Sequence, residues 1–183
     1  IVGPAIFLAC DLSAYVTGAP VRSGPDTPGS DPGDSEPGDS GSVFSRLLRS
    51  GAPDTDTYIV HRSTTCFALC NLFPYASGHL LVVPYREVAD LEGLTPEETT
   101  DLWATVTDAV RVIRNVYRPD GLNVGLNLGR PAGGSVPDHL HVHVVPRWTG
   151  DSNFMAAISN TQNLPEALVD TAAKLRSGWI AVA

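Results

Sequence analysis

Basic residues are scarce in this chain: 12 Lys and Arg stand against 20 Asp and Glu, for a formal net charge of −8 across 183 residues. Broad binding to a phosphate backbone needs a basic surface. A nucleic-acid partner is therefore not expected, although a small phosphorylated ligand in a local pocket is compatible with this balance. No run reaches the ~20 apolar residues of a membrane span, so no membrane partner is expected either. Cysteine is nearly absent. Cys10, Cys66 and Cys70 show no metal or redox spacing and read as buried free thiols of a cytoplasmic protein. Residues 1–10 are apolar enough to suggest an export or lipid-attachment signal, but they lack a basic n-region and an initiator Met. Residues 1–19 are read as a fragment or an unusual N-terminal extension.

Residues 20–42 are almost entirely Pro, Gly, Ser and acidic residues, and by simple charge counting they hold about half of the net charge. Such a segment cannot bury enough apolar surface to offset the entropy of ordering, which predicts a disordered loop. Order is expected from Val43, with one domain over residues 43–183. Val43–Leu48 reads as a short helix with an apolar face. Strands are predicted over Thr57–Arg62, Cys66–Leu72 and His79–Pro84, the last two joined by a turn-rich link. Thr95-Pro96-Glu97-Glu98 is a helix start with a capping box and Pro at the first helical position. Leu102, Trp103, Val106, Val110, Ile113 and Tyr117 then recur at helical spacing, which places Trp103 in the core. Pro119-Asp120-Gly121 is read as the stop of this helix. Strands over Leu122–Leu128 and His139–Pro146 flank the glycine-rich loop Gly129–Ser135. A last helix is predicted from about Pro165 to Ser177, with Gly178 as its stop. Strands and helices segregate, so the class is α+β with a mostly antiparallel, five-stranded sheet, one long helix and a C-terminal helix.

Three of the five histidines lie within His139-Leu-His141-Val-His143. On a strand these alternate positions share one face, roughly 6–7 Å apart, while Leu140, Val142 and Val144 face a core. Three readings are open. The first is a hydrogen-bonded cluster of buried polar groups, which is costly without partners. The second is a metal site, for which His-x-His on a strand is a good ligand pair and residues distant in sequence could supply the carboxylate or thiolate. The third is nucleophilic catalysis. A neutral imidazole offers a lone pair near pH 7. It can attack phosphorus to form a phosphoramidate while another histidine donates a proton to the departing oxygen. Ala132-Gly133-Gly134-Ser135, just upstream, lets backbone N–H groups converge on an anion, although such a turn also serves simply to connect strands.

His139-Leu-His141-Val-His143-Val-Val resembles the histidine triad motif. Gly78-His79-Leu80-Leu81-Val82-Val83-Pro84 is similar to the upstream Gly-His strand of the same superfamily, and the two motifs occur in the expected order over roughly residues 43–160. The resemblance implies a nucleotide-binding enzyme with a histidine triad fold. It implies His141 as nucleophile, His143 at the scissile phosphate and leaving group, and His139 and His79 as support. It places Asn71 on the ribose hydroxyls and Asn127, Gly134 and Ser135 at the phosphates. Val43, Phe44 and Leu47 would embrace the base, or serve as plain core. Ser135 stands where many relatives carry Gln. Some relatives also hold structural zinc through Cys-x-x-Cys where this chain reads Ser42-Val43-Phe44-Ser45. Hydroxyls are poor zinc ligands, so this zinc is expected to be absent.

Leu126-Asn127-Leu128-Gly129, Gly133-Gly134-Ser135 and Pro146-Arg147-Trp148-Thr-Gly-Asp-Ser-Asn153-Phe154 resemble the actinobacterial diadenosine tetraphosphate phosphorylases, near the fragile-histidine-triad branch. The Trp-containing start of that group has no counterpart in residues 1–13, although Ala14–Gly18 is similar to part of it. Residue type leaves Trp148 as core or substrate site, and the branch resemblance favours the site. The implied reaction converts diadenosine tetraphosphate and phosphate to ADP and ATP through a nucleotidyl-histidine. Hydrolysis of diadenosine triphosphate or nucleoside phosphoramidates is the alternative reaction, and a non-enzymatic nucleotide sensor the alternative role. No protein-bound metal or other cofactor is expected, with Mg²⁺ at most accompanying the substrate. A two-fold homodimer is implied by the resemblance.

Overall fold

The computed structural model describes residues 41–133, 136–151 and 166–181. The N-terminal extension, the acidic loop through residue 40, Cys10, Gly134, Ser135 and the start of the predicted last helix lie outside these residues. Helix α1 spans Val43–Arg49 and α2 spans Asp54–Thr57. Strands β1 (Ile59–Arg62), β2 (Cys66–Cys70) and β3 (Leu80–Pro84) follow. Helix α3 (Pro96–Tyr117), β4 (Gly121–Gly125), β5 (Val142–Arg147) and α4 (Leu168–Ile180) complete the order. The strands form one antiparallel sheet in the order β1-β2-β3-β5-β4. No helix among the described residues is long and apolar enough to cross a membrane.

Alternation along the strands divides the core in two. Cys66, Ala68, Cys70, Leu80, Val82, Val142 and Val144 face α3 and α4, with Leu102, Val106, Ala109, Val112, Ile113, Leu175 and Trp179 packed on them. Phe67, Leu69, Leu81 and Val83 face the other way, against Phe44, Leu47 and Ile59. Both faces of β2 and β3 are thus covered, which is why they read as continuous apolar runs. Burial pushes the Cys66 and Cys70 thiols up to about 12, which leaves them inert as nucleophiles near neutral pH.

The long helix starts as predicted. Thr95 accepts from the Glu98 amide, and Glu98 reaches back to the Thr95 amide at 2.8 Å. Asp101, on the first turns of α3, accepts from Ser63 Oγ (2.5 Å), Thr65 N (2.7 Å) and Thr65 Oγ1 (2.8 Å). These bonds clamp the β1–β2 turn to the helix.

Several expectations are corrected. Trp103 is 42% exposed, because the buried stripe of α3 runs through 102, 105, 106, 109, 112 and 113 and leaves 103 on its flank. The helix runs to Tyr117 and is capped by Arg118, whose φ is a left-handed 48° and whose backbone N–H donates to Arg114 O, and Gly121 already belongs to β4. The first strand begins at Ile59 because residues 54–57 form a helical turn ahead of it. The strand predicted from Leu122 ends at Gly125. The histidine strand begins only at Val142, so His139 and His141 lie on the segment leading into it. Ser42 belongs to the folded domain rather than to a loop: it is buried and caps α1, its hydroxyl accepting from the Ser45 amide at 3.1 Å.

Gly178 is not a helix stop. It lies inside α4, where a Cβ would sit 2.6 Å from Val116 Cγ2 and 3.2 Å from Val112 Cγ1. The glycine lets α4 approach α3 closely, and valine methyls cannot swing aside easily. Gly178→Ala is expected to destabilise the fold by about 1–2 kcal/mol through overpacking, despite the better helix propensity of Ala. A lowered urea midpoint at unchanged m would show it, and an unchanged or raised midpoint would contradict the close packing.

Candidate active site

The β3–β5 pairing brings the histidines together. Leu81 lies opposite His143, and Gly125 of β4 lies opposite His143 on its other side. His79 therefore stands at the head of β3 on the same face as His143. Gly78 permits this entry: its φ is +88°, and a Cβ there would meet the Tyr117 ring at 2.9 Å. His79, His139 and His141 are 1%, 0% and 5% exposed, so their ring nitrogens need partners.

The partners assign the tautomers. Pro84 offers His139 only a carbonyl, at 2.8 Å from Nε2, so that nitrogen carries the proton. His139 Nδ1 then accepts from Ser42 Oγ at 2.5 Å. His141 Nδ1 lies 2.9 Å from the His139 carbonyl and must be the donor. Its Nε2 keeps the lone pair. At the other end, the Tyr75 amide donates to His79 Nδ1 at 3.1 Å. His79 Nε2–H consequently donates to His143 Nδ1 at 3.0 Å. The proton of neutral His143 is thereby placed on Nε2, a buried atom with no hydrogen-bond partner among the described residues. Rings of His141 and His143 are 5.0 Å apart. The cluster presents one imidazole with a free lone pair beside another with an unspent N–H.

Burial also keeps the rings neutral. Desolvation pushes His79 down to about 3, with the charges that His143 and His141 would carry adding to it. His143 falls to about 4 by desolvation and then by His141. His139 and His141 shift down for the same first reason, opposed by their bonds to the Pro84 and His139 carbonyls.

The other predicted residues divide. Asn71 adjoins the cluster, with Nδ2 3.4 Å from His79 Nδ1 and Oδ1 accepting from the Phe73 amide at 3.2 Å. Asn127 lies two residues past Gly125, the partner of His143, and close to Gly133. Phe44 and Leu47 are core residues, and Val43 is packed partly buried beside them. The Phe44 ring nevertheless lies 5.4 Å from His139 and 5.3 Å from His141. Trp148 is half-buried and directly follows the end of β5, five residues beyond His143.

Sequence reasoning missed Tyr75 and Glu87. Tyr75 is 59% exposed, and its ring lies 5.0 Å from that of His79 and 6.3 Å from that of His143. Its place four residues before His79 is the only sequence signal. Glu87 accepts from Ser42 N (2.9 Å) and Ser45 Oγ (2.6 Å), and no local spacing marks it. The hydroxyls of Ser42 and Ser45 are thus committed to His139 and Glu87. This arrangement does not fit a zinc ion, and no group of three or more metal-ligating side chains forms among the described residues.

The chain is similar in sequence and in fold to known proteins. The family model for the HIT domain matches residues 52–150. The AP-4-A phosphorylase of Mycobacterium tuberculosis (strain ATCC 25618 / H37Rv) is 52% identical over 126 residues, 69% of this chain and 65% of that protein. A bis(5'-nucleosyl)-tetraphosphatase (asymmetrical) of Schizosaccharomyces pombe is 41% identical over 93 residues, 51% of this chain and 50% of its own. The chain thus spans at most about two thirds of the length of these curated relatives. Among solved structures, a Zn-bound histidine triad family protein from Mycobacterium smegmatis superposes with a TM-score of 0.62 at 26% identity, covering 77% of this chain and 94% of its own. The C. elegans NitFhit protein gives a TM-score of 0.56 at 26% identity, over 69% of this chain and 28% of that one. The matched stretch runs from α2 past the end of β5 and contains all four clustered histidines: the chain belongs to the HIT domain family.

Proposed function

We propose that this chain is a nucleotidyl transferase that cleaves dinucleoside polyphosphates, diadenosine tetraphosphate first among them, with inorganic phosphate as acceptor. The observation that carries the proposal is the tautomer of His141, whose Nδ1–H is held by the His139 carbonyl and whose Nε2 lone pair is left for phosphorus. The name of the mycobacterial relative supports the substrate class and the acceptor.

In this reading His141 Nε2 attacks the α-phosphorus. The P–N bond forms as the bond to the bridging oxygen breaks, and ATP departs. The unspent Nε2–H of His143 donates to the departing or non-bridging oxygen, where negative charge grows. An oxygen of inorganic phosphate then attacks the same phosphorus. His141 leaves with its lone pair restored, and the product is ADP. Covalent transfer divides one difficult displacement into two easier ones. Asn71 is assigned to the ribose, Asn127 with Gly134 and Ser135 to the phosphates, and Val43 and Phe44 to the base edge. Magnesium bound to the polyphosphate belongs to the substrate. A cytoplasmic homodimer joined along the open edge of β4, where Val124 is 43% exposed, goes with this reading.

Hydrolysis is the second reading. It is favoured by the tetraphosphatase name of the fission-yeast relative, and it differs only in the acceptor. Incubation with diadenosine tetraphosphate, with and without phosphate, separates the two: ADP and ATP are expected with phosphate, whereas AMP despite abundant phosphate would favour hydrolysis. His141→Ala is expected to lower kcat by at least about 10³-fold, in line with loss of a covalent nucleophile. Retained activity would remove His141 from that role.

The depressed histidine values set the pH dependence. A ring whose folded-state value lies below the ordinary 6.5 is protonated more readily when unfolded, so stability falls as pH drops below about 6.5 and keeps falling toward about 3. The acid limb of kcat/KM is expected well below pH 6.5 for the same reason. A profile measured from pH 4 to 8 with its acid midpoint at or above 6.5 would contradict neutral, buried rings.

A further inference from the structure

We infer that Ser42 and Glu87 are positioning residues for the nucleophile, acting on His141 through His139; the inference rests on the nucleotidyl-transfer reading above. The proton inventory is closed at this corner of the site. Ser42 Oγ accepts from the Ser45 amide at 3.1 Å, and Ser45 Oγ spends its own proton on Glu87 Oε2 at 2.6 Å. The Ser42 hydroxyl proton has two acceptors in reach, Ser45 Oγ at 3.3 Å and His139 Nδ1 at 2.5 Å, and the much shorter distance to a nitrogen that can only accept gives it to His139. His139 Nε2–H is already given to the Pro84 carbonyl. Both ring nitrogens of His139 are fixed with opposite polarity, so the ring can neither flip nor change tautomer without losing two bonds.

That lock reaches His141 through the backbone. The carbonyl of His139 receives the Nδ1–H of His141, so holding residue 139 holds the acceptor that orients the nucleophile. Glu87 in turn holds Ser42, accepting its amide at 2.9 Å. The chain is shaped for this approach. Gly41 has a φ of +106°, and a Cβ there would come within 3.1 Å of Glu87 Oε2. Phe44, the second residue of the helix that Ser42 caps, lies edge-on to His139 at 87° and closes the corner.

The test uses the full chain with three substitutions. Ser42→Thr keeps the hydroxyl donor and the helix cap. Ser42→Gly keeps a tolerated cap but removes the donor. Glu87→Gln removes the charge while keeping an amide oxygen that can accept. Two readouts are taken: the imidazole ¹⁵N shifts of His139 and His141, and kcat and KM for diadenosine tetraphosphate. In Ser42→Gly, His139 is expected to lose its single tautomer and kcat to fall by about tenfold with KM nearly unchanged, the size of one lost hydrogen bond. Glu87→Gln should fall between that variant and the native protein, and Ser42→Thr should restore both readouts. A purely structural role would lower the melting temperature and leave the ¹⁵N pattern and kcat alone. That result, or an unchanged His139 tautomer in Ser42→Gly, would overturn the inference. If the native protein cleaves no dinucleoside polyphosphate, the nucleotidyl-transfer reading fails, and the ¹⁵N shifts still decide whether the serine brace holds the two rings.

Discussion

The hydrogen bond from His141 Nδ1 to the His139 carbonyl is the interaction on which the proposed chemistry depends, and it belongs to a cluster of four imidazoles of which His79, His139 and His141 are buried. A buried ring must spend its polar atoms on partners or lose about 1–3 kcal/mol for each one left unmade. Here the partners are main-chain groups fixed by the sheet: the Pro84 carbonyl at the end of β3, the His139 carbonyl, and the Tyr75 amide in the turn before β3. Backbone partners have no alternative protonation state. They fix which nitrogen of each ring holds the proton, and the polarity of the whole cluster follows from them.

The antiparallel register then sets the neighbours. With Leu81 opposite His143, the ring of His79 at the head of β3 reaches His143 Nδ1. A slip of one residue would turn His79 and His143 to opposite faces. Such a slip would also put polar rings under α3 and α4, where Leu80, Val82, Val142 and Val144 now pack. Stability and chemistry therefore constrain the same register from opposite sides of one sheet. Gly78 joins the two faces: it admits the Tyr117 ring from the long helix at the point where the chain turns into His79.

Much of this was legible where a local rule governs. The capping box at Thr95, the two continuous apolar strands and the alternate histidines each follow from residue type and spacing. Trp103 and Gly178 were misread for a shared reason. Both depend on how α3 and α4 sit against their neighbours, and a helical stripe about 100° wide leaves its flanking positions undecided. The triad was legible as a shared face, but its roles were not. They rest on Pro84, Tyr75 and Ser42, which lie 55, 4 and 97 residues from the rings they bond. Glu87 was invisible because a lone exposed carboxylate after a strand is usually just solvated.

The serine pair changes the electrostatics of the family site as well as its ligands. A zinc ion at residues 42 and 45 would add positive charge beside His139 and lower the basicity of nearby imidazoles. Glu87 does the reverse: its charge raises the affinity of His139 for a proton. Its own carboxyl is held below the usual range by Ser45 and Ser42, so the charge persists at low pH. Burial lowers the basicity of all three triad rings, and the Glu87 carboxylate opposes that shift at His139. A nucleophile needs a neutral ring that is still electron-rich. Desolvation supplies the first property, and the His139 carbonyl, held in place by the Glu87–serine brace, works toward the second by raising the proton affinity of His141.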